Sequence, residues 1–559
     1  MPLQASRPLP PHPAIFHDIS AAPGSSDEAK TSSALFIRSH LLEMMTEYKS
    51  ESLGAGLCGR DRVGGRQPRQ NLGYGVDCMA GLRRSFALSF LDKYITLFLS
   101  IGTIAVLARI LTPADTGVYS VAAGLVNVAQ TLREFGAGNY VLQETELSKE
   151  KLATALGMSV LSGILLALIF ALTSGEIARW FHEPKVKTVV LVISLNFMIV
   201  GFSSISWVQL QRKMNFGAMT RISIAAAIGR SVVGIFLASR GYGAVAMAWS
   251  SVAGNVVSFV GTFVALGREG LVFPRLVEWR ALMSFGAASA GASLLQMITS
   301  NVPDVIVGRM LGFSQAGLLS RARSLTTLFE SSFMGGIRPV ATSSLAQANR
   351  GGGAMADLYL RFFDHTIMIA WPLLLLMAIF AKPIVFIAFG NQWVSAVPAS
   401  RLFCLAAAIT LISDLACLAM IAVGAMRSNL VAYAIATPVH VVLIIIACNS
   451  GIEGAAAAIC VSMLLLALVA QGGANKILGL KWGQVVATLS RAVAAVGVTA
   501  IVPIIFVTMR QDDGIPMYLT TLLVGGLSGV LSWLIFIFLS RHPLWDEIKT
   551  IFRNVMGLF

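Results

Sequence analysis

Between residues 86 and 540 the sequence alternates apolar stretches of about twenty residues with short polar breaks, the length an α-helix needs to cross roughly 30 Å of hydrocarbon. Strands would alternate in character and need about half that length, so the expectation is an all-α polytopic membrane protein. About fourteen transmembrane helices follow, near 86–108, 116–135, 152–173, 187–208, 217–239, 242–266, 281–307, 314–337, 363–388, 397–423, 429–449, 452–474, 487–508 and 517–540. The stretches starting near 116 and 314 are the least apolar. With 56% apolar and only 13% charged residues, a soluble domain is excluded.

The thirteen residues Ala108-Arg-Ile-Leu-Thr-Pro-Ala-Asp-Thr-Gly-Val-Tyr-Ser120 recur 200 positions later as Gly308-Arg-Met-Leu-Gly-Phe-Ser-Gln-Ala-Gly-Leu-Leu-Ser320. Such self-similarity identifies the architectural unit. Arg240-Gly-Tyr-Gly-Ala before the sixth span is echoed by Ser450-Gly-Ile-Glu-Gly-Ala before the twelfth. Six spans per copy give both copies one orientation, the parallel repeat of transporters whose site lies between the halves. The expected organisation is a polar head at 1–82, a six-helix lobe at 83–270, a second at 271–480, and two additional helices with a tail at 481–559. The head is rich in Pro, Ser and Gly, and reads as disordered and cytoplasmic. Met79-Ala-Gly-Leu-Arg-Arg-Ser-Phe reads as a translation start just before the first span.

A net charge of +14 would suggest nucleic acid in a soluble protein, but here the basic residues lie at the ends of apolar runs and act as topology signals. With the N-terminus inside, cytoplasmic connections carry about twice the Arg and Lys of the opposite face, and both termini are expected in the cytoplasm. The six cysteines form no CxxC pair, so neither a metal site nor a disulfide framework is expected. No Walker A, GxSxG or HExxH pattern occurs, and no connection is long enough for a soluble domain, so the chain is not expected to be an enzyme or to need a cofactor.

Function should then reside in polar residues within the spans. Ser85, Ser89, Lys93, Thr96, Ser100 and Thr103 share one stripe of the first helix, and Ser289, Ser293, Gln296 and Ser300 repeat it on the seventh. Two such stripes are expected to line a central cleft. Packing hydroxyls that back-bond to the preceding turn are the alternative for any one of them. Ionisable groups at mid-bilayer cost about 2.5–3.5 kcal/mol each and mark sites by default; those here are Lys93, Arg230, Asp304, Arg321, Arg323, Glu330 and Asp414. Lys93 and Arg323, with Ser100 and Gln296, are the candidate substrate ligands, because guanidinium and ammonium groups suit an anionic substrate. Glu330, Asp304 and Asp414 are candidates for a coupling ion, with structural pairing as the alternative. Arg323 and Glu330, seven apart, share a face, and Arg321 points elsewhere. His440 near Pro438 reads as a core histidine.

The 108–119 motif, Leu210-Gln-Arg-Lys-Met-Asn-Phe216, Arg240-Gly-Tyr-Gly-Ala-Val-Ala and the 308–321 motif, in this order and spacing, resemble the polysaccharide transporter family of oligosaccharide flippases within the multidrug/oligosaccharidyl-lipid/polysaccharide flippase superfamily. The resemblance covers about residues 84 to 480. It implies two six-helix lobes around a cationic cavity and translocation of an undecaprenyl-pyrophosphate-linked oligosaccharide across the bacterial inner membrane for exopolysaccharide or lipopolysaccharide, driven by an ion gradient. Implied partners are the lipid-linked oligosaccharide, membrane lipids, and polysaccharide polymerase and co-polymerase proteins. The rivals are a drug or small-metabolite exporter of the same superfamily and, from another class, a membrane glycan polymerase or ligase.

Overall fold

A backbone in hydrocarbon must satisfy its own N–H and C=O groups, and this chain does so with helices. The computed structural model describes residues 93–134, 141, 148–267, 279–351, 355–509 and 515–556, and no strand occurs among them. The expected head at 1–82 and the stripe positions Ser85 and Ser89 lie outside the described residues.

In chain order the helices are α1 (Lys93–Ile110), α2 (Pro113–Glu134), α3 (Lys149–Phe181), α4 (Pro184–Arg212), α5 (Phe216–Ser239), α6 (Ala244–Leu266), α7 (Trp279–Met310) and α8 (Phe313–Arg350). They continue as α9 (Met355–Ile379), α10 (Ala381–Phe389), α11 (Val397–Ala422), α12 (Met426–Ala447), α13 (Gly451–Leu478) and α14 (Trp482–Met509). The last are α15 (Ile515–Thr520), joined through a π-helical turn to α16 (Gly526–Leu539), and α17 (Pro543–Met556). Among the described residues, ten stretches are long and apolar enough to cross a membrane, one of them, Met426–Leu478, holding both α12 and α13. The helices α2, α7 and α8 are absent from that set. They are polar because they carry the charges and amides of the interior, such as Asn127, Asp304, Arg323 and Glu330.

Helices α2 to α6 pack largely among themselves, as do α7 to α13, and α2 against α7 and α8 is the main seam between the two groups. One apolar cluster crosses that seam, with Val118, Val121 and Ala122 of α2 buried against Val307, Leu319 and Ala322. At its end α2 and α8 touch backbone to backbone. A Cβ on Gly117 would fall on the Phe313 carbonyl, and a Cβ on Gly317 on that of Pro113. Pro113 and Phe313, like Gly117 and Gly317, are mates in the 200-residue repeat, so the crossing is built from the same element used twice.

A clamp reinforces this closed end. The last carbonyls of α1 have no intrahelical donor, and the 3-10 turn Asn391–Ala396 supplies two. Trp393 Nε1 donates to the Ala108 carbonyl at 2.7 Å, and Gln392 Nε2 donates to the carbonyls of Ala108 and Leu111. Arg109 returns a bond to the Ile387 carbonyl at 2.8 Å. Buried Arg321 holds the clamp from behind, its guanidinium 4.9 Å from the Trp393 ring and 5.2 Å from that of Phe389. That is where the direction of Arg321, away from Arg323, leads. Trp393→Ala is expected to destabilise the chain by about 3–5 kcal/mol, and Trp393→Phe, which keeps the ring, by about 1 kcal/mol; thermal unfolding of the purified protein checks the difference.

The final residues, expected as a tail, form α17, a helix whose Leu544, Trp545 and Ile548 pack beside Met368 and Ala495. Asp364 anchors this end. It contacts Arg491 of α14 at 3.3 Å and His542 at 2.8 Å. Asp364→Ala is expected to lower the melting temperature and expose the 539–543 turn to protease; an unchanged digestion pattern would contradict the anchoring role.

Candidate functional site

Moving from the crossing toward the other end, the seam turns polar. Asn127 of α2 donates to Asn301 of α7 at 3.2 Å. Ser293, Gln296 and Ser300 stand exposed on α7, and Asp304 continues their face at the 3/4 spacing of a helix. On α8 the corresponding face carries Arg323, Thr327 and Glu330. Arg323 joins the two faces: its guanidinium donates to the Asp304 carboxylate and to the Ser300 carbonyl. Asp304 is 4% exposed and Arg323 27%, so the pair is sunk in the wall with one edge of the guanidinium left open. A planar fork can hold a carboxylate and a carbonyl at once, which an ammonium cannot do as rigidly.

Farther along α8, Arg338 donates to Asp414 of α11 at 2.8 Å. Lys93, on α1, reaches across to α8, where its Nζ lies against Gly335; a side chain at 335 would occupy the ammonium's place. Two of the three candidate coupling carboxylates, Asp304 and Asp414, are thus held by arginines, the structural pairing that was the alternative for each. Glu330 has no ion pair among the described residues. The cleft wall therefore combines two internal ion pairs with Lys93 and Glu330.

Ser100 does not join this wall. With Thr96 and Thr103 it lines a separate cavity of about 490 Å³ among α1, α2, α5 and α6, together with Arg230. The expectation that the first-span and seventh-span stripes share one cleft is therefore corrected for Ser100: α1 turns its hydroxyls to α5, where Thr103 Oγ1 and Ser231 Oγ lie 2.5 Å apart, while the α7 stripe turns to α8. Lys93 of α1 lies against Gly335 of α8, Arg323 turns from α8 to α7, and Gln296 lies on the exposed α7 face.

Reading the sequence left several groups out. Arg338 falls one residue past the expected eighth span at 314–337, and it lies within α8, paired with Asp414. Ser251, Asn255 and Ser258 on α6 form a stripe at spacing 4 and 3, and Ser223 on α5 lies seven residues, two turns, before Arg230, which the sequence had singled out by its charge; the same periodicity that exposed the first-span stripe would have found the serines and Asn255. His440 is indeed a core histidine, 1% exposed and bonded to Ser462 at 2.6 Å. Cys404, Cys417, Cys448 and Cys460 are buried free thiols, and Cys58 and Cys78 lie outside the described residues. No cluster of three metal-ligating side chains occurs among the described residues.

This arrangement has known counterparts. The solved structure described as lipid II flippase MurJ in an inward closed conformation matches with a TM-score of 0.64 at 15% identity, over 82% of this chain and 98% of that one. An inward-facing multidrug resistance MATE family transporter matches with a TM-score of 0.50, also at 15% identity, over 70% and 94%. At these identities the likeness is one of fold. In sequence, the succinoglycan biosynthesis transport protein ExoT of Rhizobium meliloti (strain 1021) is 23% identical over 330 residues, 58% of this chain and 66% of the relative. The lipopolysaccharide biosynthesis protein WzxC of Escherichia coli (strain K12) is 22% identical over 323 residues, 56% and 65%. The chain thus spans about two thirds of the length of these relatives. The pattern of the polysaccharide biosynthesis protein family matches residues 106–398, more than half of the chain, and includes the repeat, the crossing at Gly117 and Gly317, and the Asp304–Arg323 pair. By that match, and by the ordered motifs at 108–119, 210–216, 240–246 and 308–321, this multi-pass membrane protein is a member of the polysaccharide biosynthesis protein family.

Proposed function

We propose that the chain translocates an undecaprenyl-pyrophosphate-linked oligosaccharide across the bacterial inner membrane, for exopolysaccharide or lipopolysaccharide, by alternating access between the α1–α6 and α7–α12/α13 lobes. The observation that carries this reading is a seam that is apolar and closed at one end, through Gly117 and Gly317, and polar toward the other, through Ser300, Asp304, Arg323 and Lys93. A glycan moved through lipid would shed water from every hydroxyl at a cost of kcal/mol each, whereas a polar wall replaces those bonds and leaves the polyprenyl chain in the bilayer. The names of the relatives, a succinoglycan transport protein and a lipopolysaccharide biosynthesis protein among them, support the same class of cargo.

The closed end carries Arg109, Arg179, Lys185, Lys187, Arg240 and Arg309, fewer basic residues than the other end, so it faces the periplasm and both termini face the cytoplasm. The cleft accordingly receives substrate from the cytoplasm. Lys93 and the open edge of the Arg323 guanidinium contact the pyrophosphate, and Gln296 the glycan. Glu330, the carboxylate without an ion pair, carries the coupling cation, whose arrival and loss bias the two states. The polymerase and co-polymerase that consume the flipped units are the protein partners.

Reconstitution in liposomes with fluorescent lipid-linked oligosaccharide tests the proposal. Externally added lectin or periodate should reach the glycan of both leaflets over time only when the chain is present and an ion gradient is imposed. In cells lacking the chain, repeat units should remain cytoplasmic; unpolymerised units accumulating on the periplasmic face would mean a polymerase instead.

A further inference from the structure

Arg230 stands apart from the charges of the cleft. It lies near the middle of α5, is exposed into the 490 Å³ cavity among α1, α2, α5 and α6, and has neither an ion-pair partner nor a hydrogen-bond acceptor for its guanidinium among the described residues. No carboxylate is found among the described residues that line the cavity. Space for the guanidinium is provided by Gly254: Nε and a terminal nitrogen lie 2.9 and 3.3 Å from where a Cβ at 254 would stand. An unpaired cation inside a membrane bundle is expensive unless a ligand supplies the opposite charge.

The rest of the lining combines hydroxyls with the apolar side chains of Ile104, Leu107 and Met247, the mixture a sugar ring with its hydroxyls and C–H faces would meet. Ser100, Ser223, Ser231, Ser251 and Ser258 present hydroxyls, with Tyr119 at one end. Asn255 is fixed by donating to Asn196 at 3.0 Å, and Asn196 donates in turn to Ser251 at 2.8 Å, so the Asn255 carbonyl remains available to accept from a ligand hydroxyl. Ser250 caps the Arg230 carbonyl at 2.7 Å and fixes the α5–α6 spacing beside the guanidinium. The volume falls within the range of about 300–1,000 Å³ usual for small-molecule sites.

The second half of the chain offers the contrast. Gly241 before α6 corresponds to Gly451 before α13, and by the same offset Arg230 corresponds to His440. His440 is buried and bonded to Ser462, and Thr437 and Thr299 close on each other at 2.9 Å. Only one of the two equivalent positions is therefore open to a ligand, and that one carries the fixed positive charge.

We infer that the Arg230 cavity is a specificity subsite for an acidic sugar, holding the carboxylate of a uronic-acid-type residue by the guanidinium while the surrounding hydroxyls and Asn255 bind the ring. One guanidinium matches one carboxylate in bidentate geometry. A pyrophosphate, with its greater charge, is matched better by Lys93 and Arg323 together than by the single guanidinium of this cavity. This inference rests on the transport reading and names the class of glycan that reading leaves open.

The test is equilibrium binding to the purified full chain in nanodiscs, followed by saturation-transfer NMR with D-glucuronate, D-glucose and inorganic pyrophosphate. D-Glucuronate should bind saturably and D-glucose at least about tenfold more weakly. Arg230→Gln should cost about tenfold or more for glucuronate and little for glucose, with Arg230→Lys between. Gly254→Val, which fills the guanidinium's place without removing the charge, should weaken glucuronate as well and serves if Arg230→Gln does not fold. Equal affinity of wild type and both variants for glucuronate, or equal binding of glucose and glucuronate by the wild type, overturns the inference. So does pyrophosphate binding that is lost with Arg230 and is tighter than glucuronate, since the cavity then serves the phosphates. Binding that needs Arg230 in a protein that flips no lipid-linked glycan would leave the subsite standing and refute the transport reading instead.

Discussion

Gly117→Leu and Gly317→Leu are each expected to reduce flipping by more than tenfold while the protein still inserts. At both positions a side chain would collide with a backbone carbonyl of the opposing helix, and backbone cannot rotate out of the way as a flexible side chain can. Overpacking of this kind costs about 1–3 kcal/mol, and under the alternating access proposed above it falls on the state in which this end of the seam is shut. The equilibrium therefore shifts toward opening at that end. A cysteine replacing Val121, fully buried in the wild type just inside the crossing, reports the change in a background without the native cysteines. It should react with a membrane-impermeant maleimide in the leucine variants and remain protected in the parent. Protection in both would mean that the crossing is a fixed joint, and alternating access would need another hinge.

Arg323→Ala is expected to cost about 3–5 kcal/mol of stability, because it leaves the Asp304 carboxylate, 4% exposed, without its counter-charge. That loss would mask any role in transport, so the informative variant removes both partners. Arg323→Met with Asp304→Leu should restore most of the stability, since a buried ion pair is often replaceable by apolar groups of similar volume. Flipping should nevertheless stay at least tenfold below wild type if the open edge of the guanidinium contacts substrate. A double variant that melts and flips like wild type would make the pair scaffolding and move the anion-binding role to Lys93 and Arg230.

The helices were legible in sequence to different degrees for a physical reason. Spans with an open outer face, such as α14 and α16, announce themselves by sustained apolarity, because hydrocarbon is what that face must meet. The stretches near 116 and 314 were the faintest, and they became α2 and α8, the two helices that form the seam. Their polarity is the mark of an interior position in a protein whose outside is greasy. Periodicity likewise found Lys93, Ser100 and Arg323 as inward-facing, and helical spacing separated Arg323 from Arg321. It could not say which helix each stripe would meet. Ser100 was assigned to the cleft with Gln296 and instead lines the Arg230 cavity, since a stripe records only that a face is not in lipid.

From the order of its residues alone, this chain is a duplicated helical bundle of a polysaccharide transporter family with charges inside its membrane region, because hydropathy, helical period and a repeat at constant offset are all local or register properties. Folding in three dimensions decided the partners. The Trp393 donor to Ala108, 285 positions away, the reciprocal contact of Gly117 and Gly317, the capture of Asp304 and Asp414 by Arg323 and Arg338, and the isolation of Arg230 beside Gly254 depend on which helices pack together. Charges pair, or stay unpaired, according to distance in space, and that distance is set only when the seam between the two halves closes.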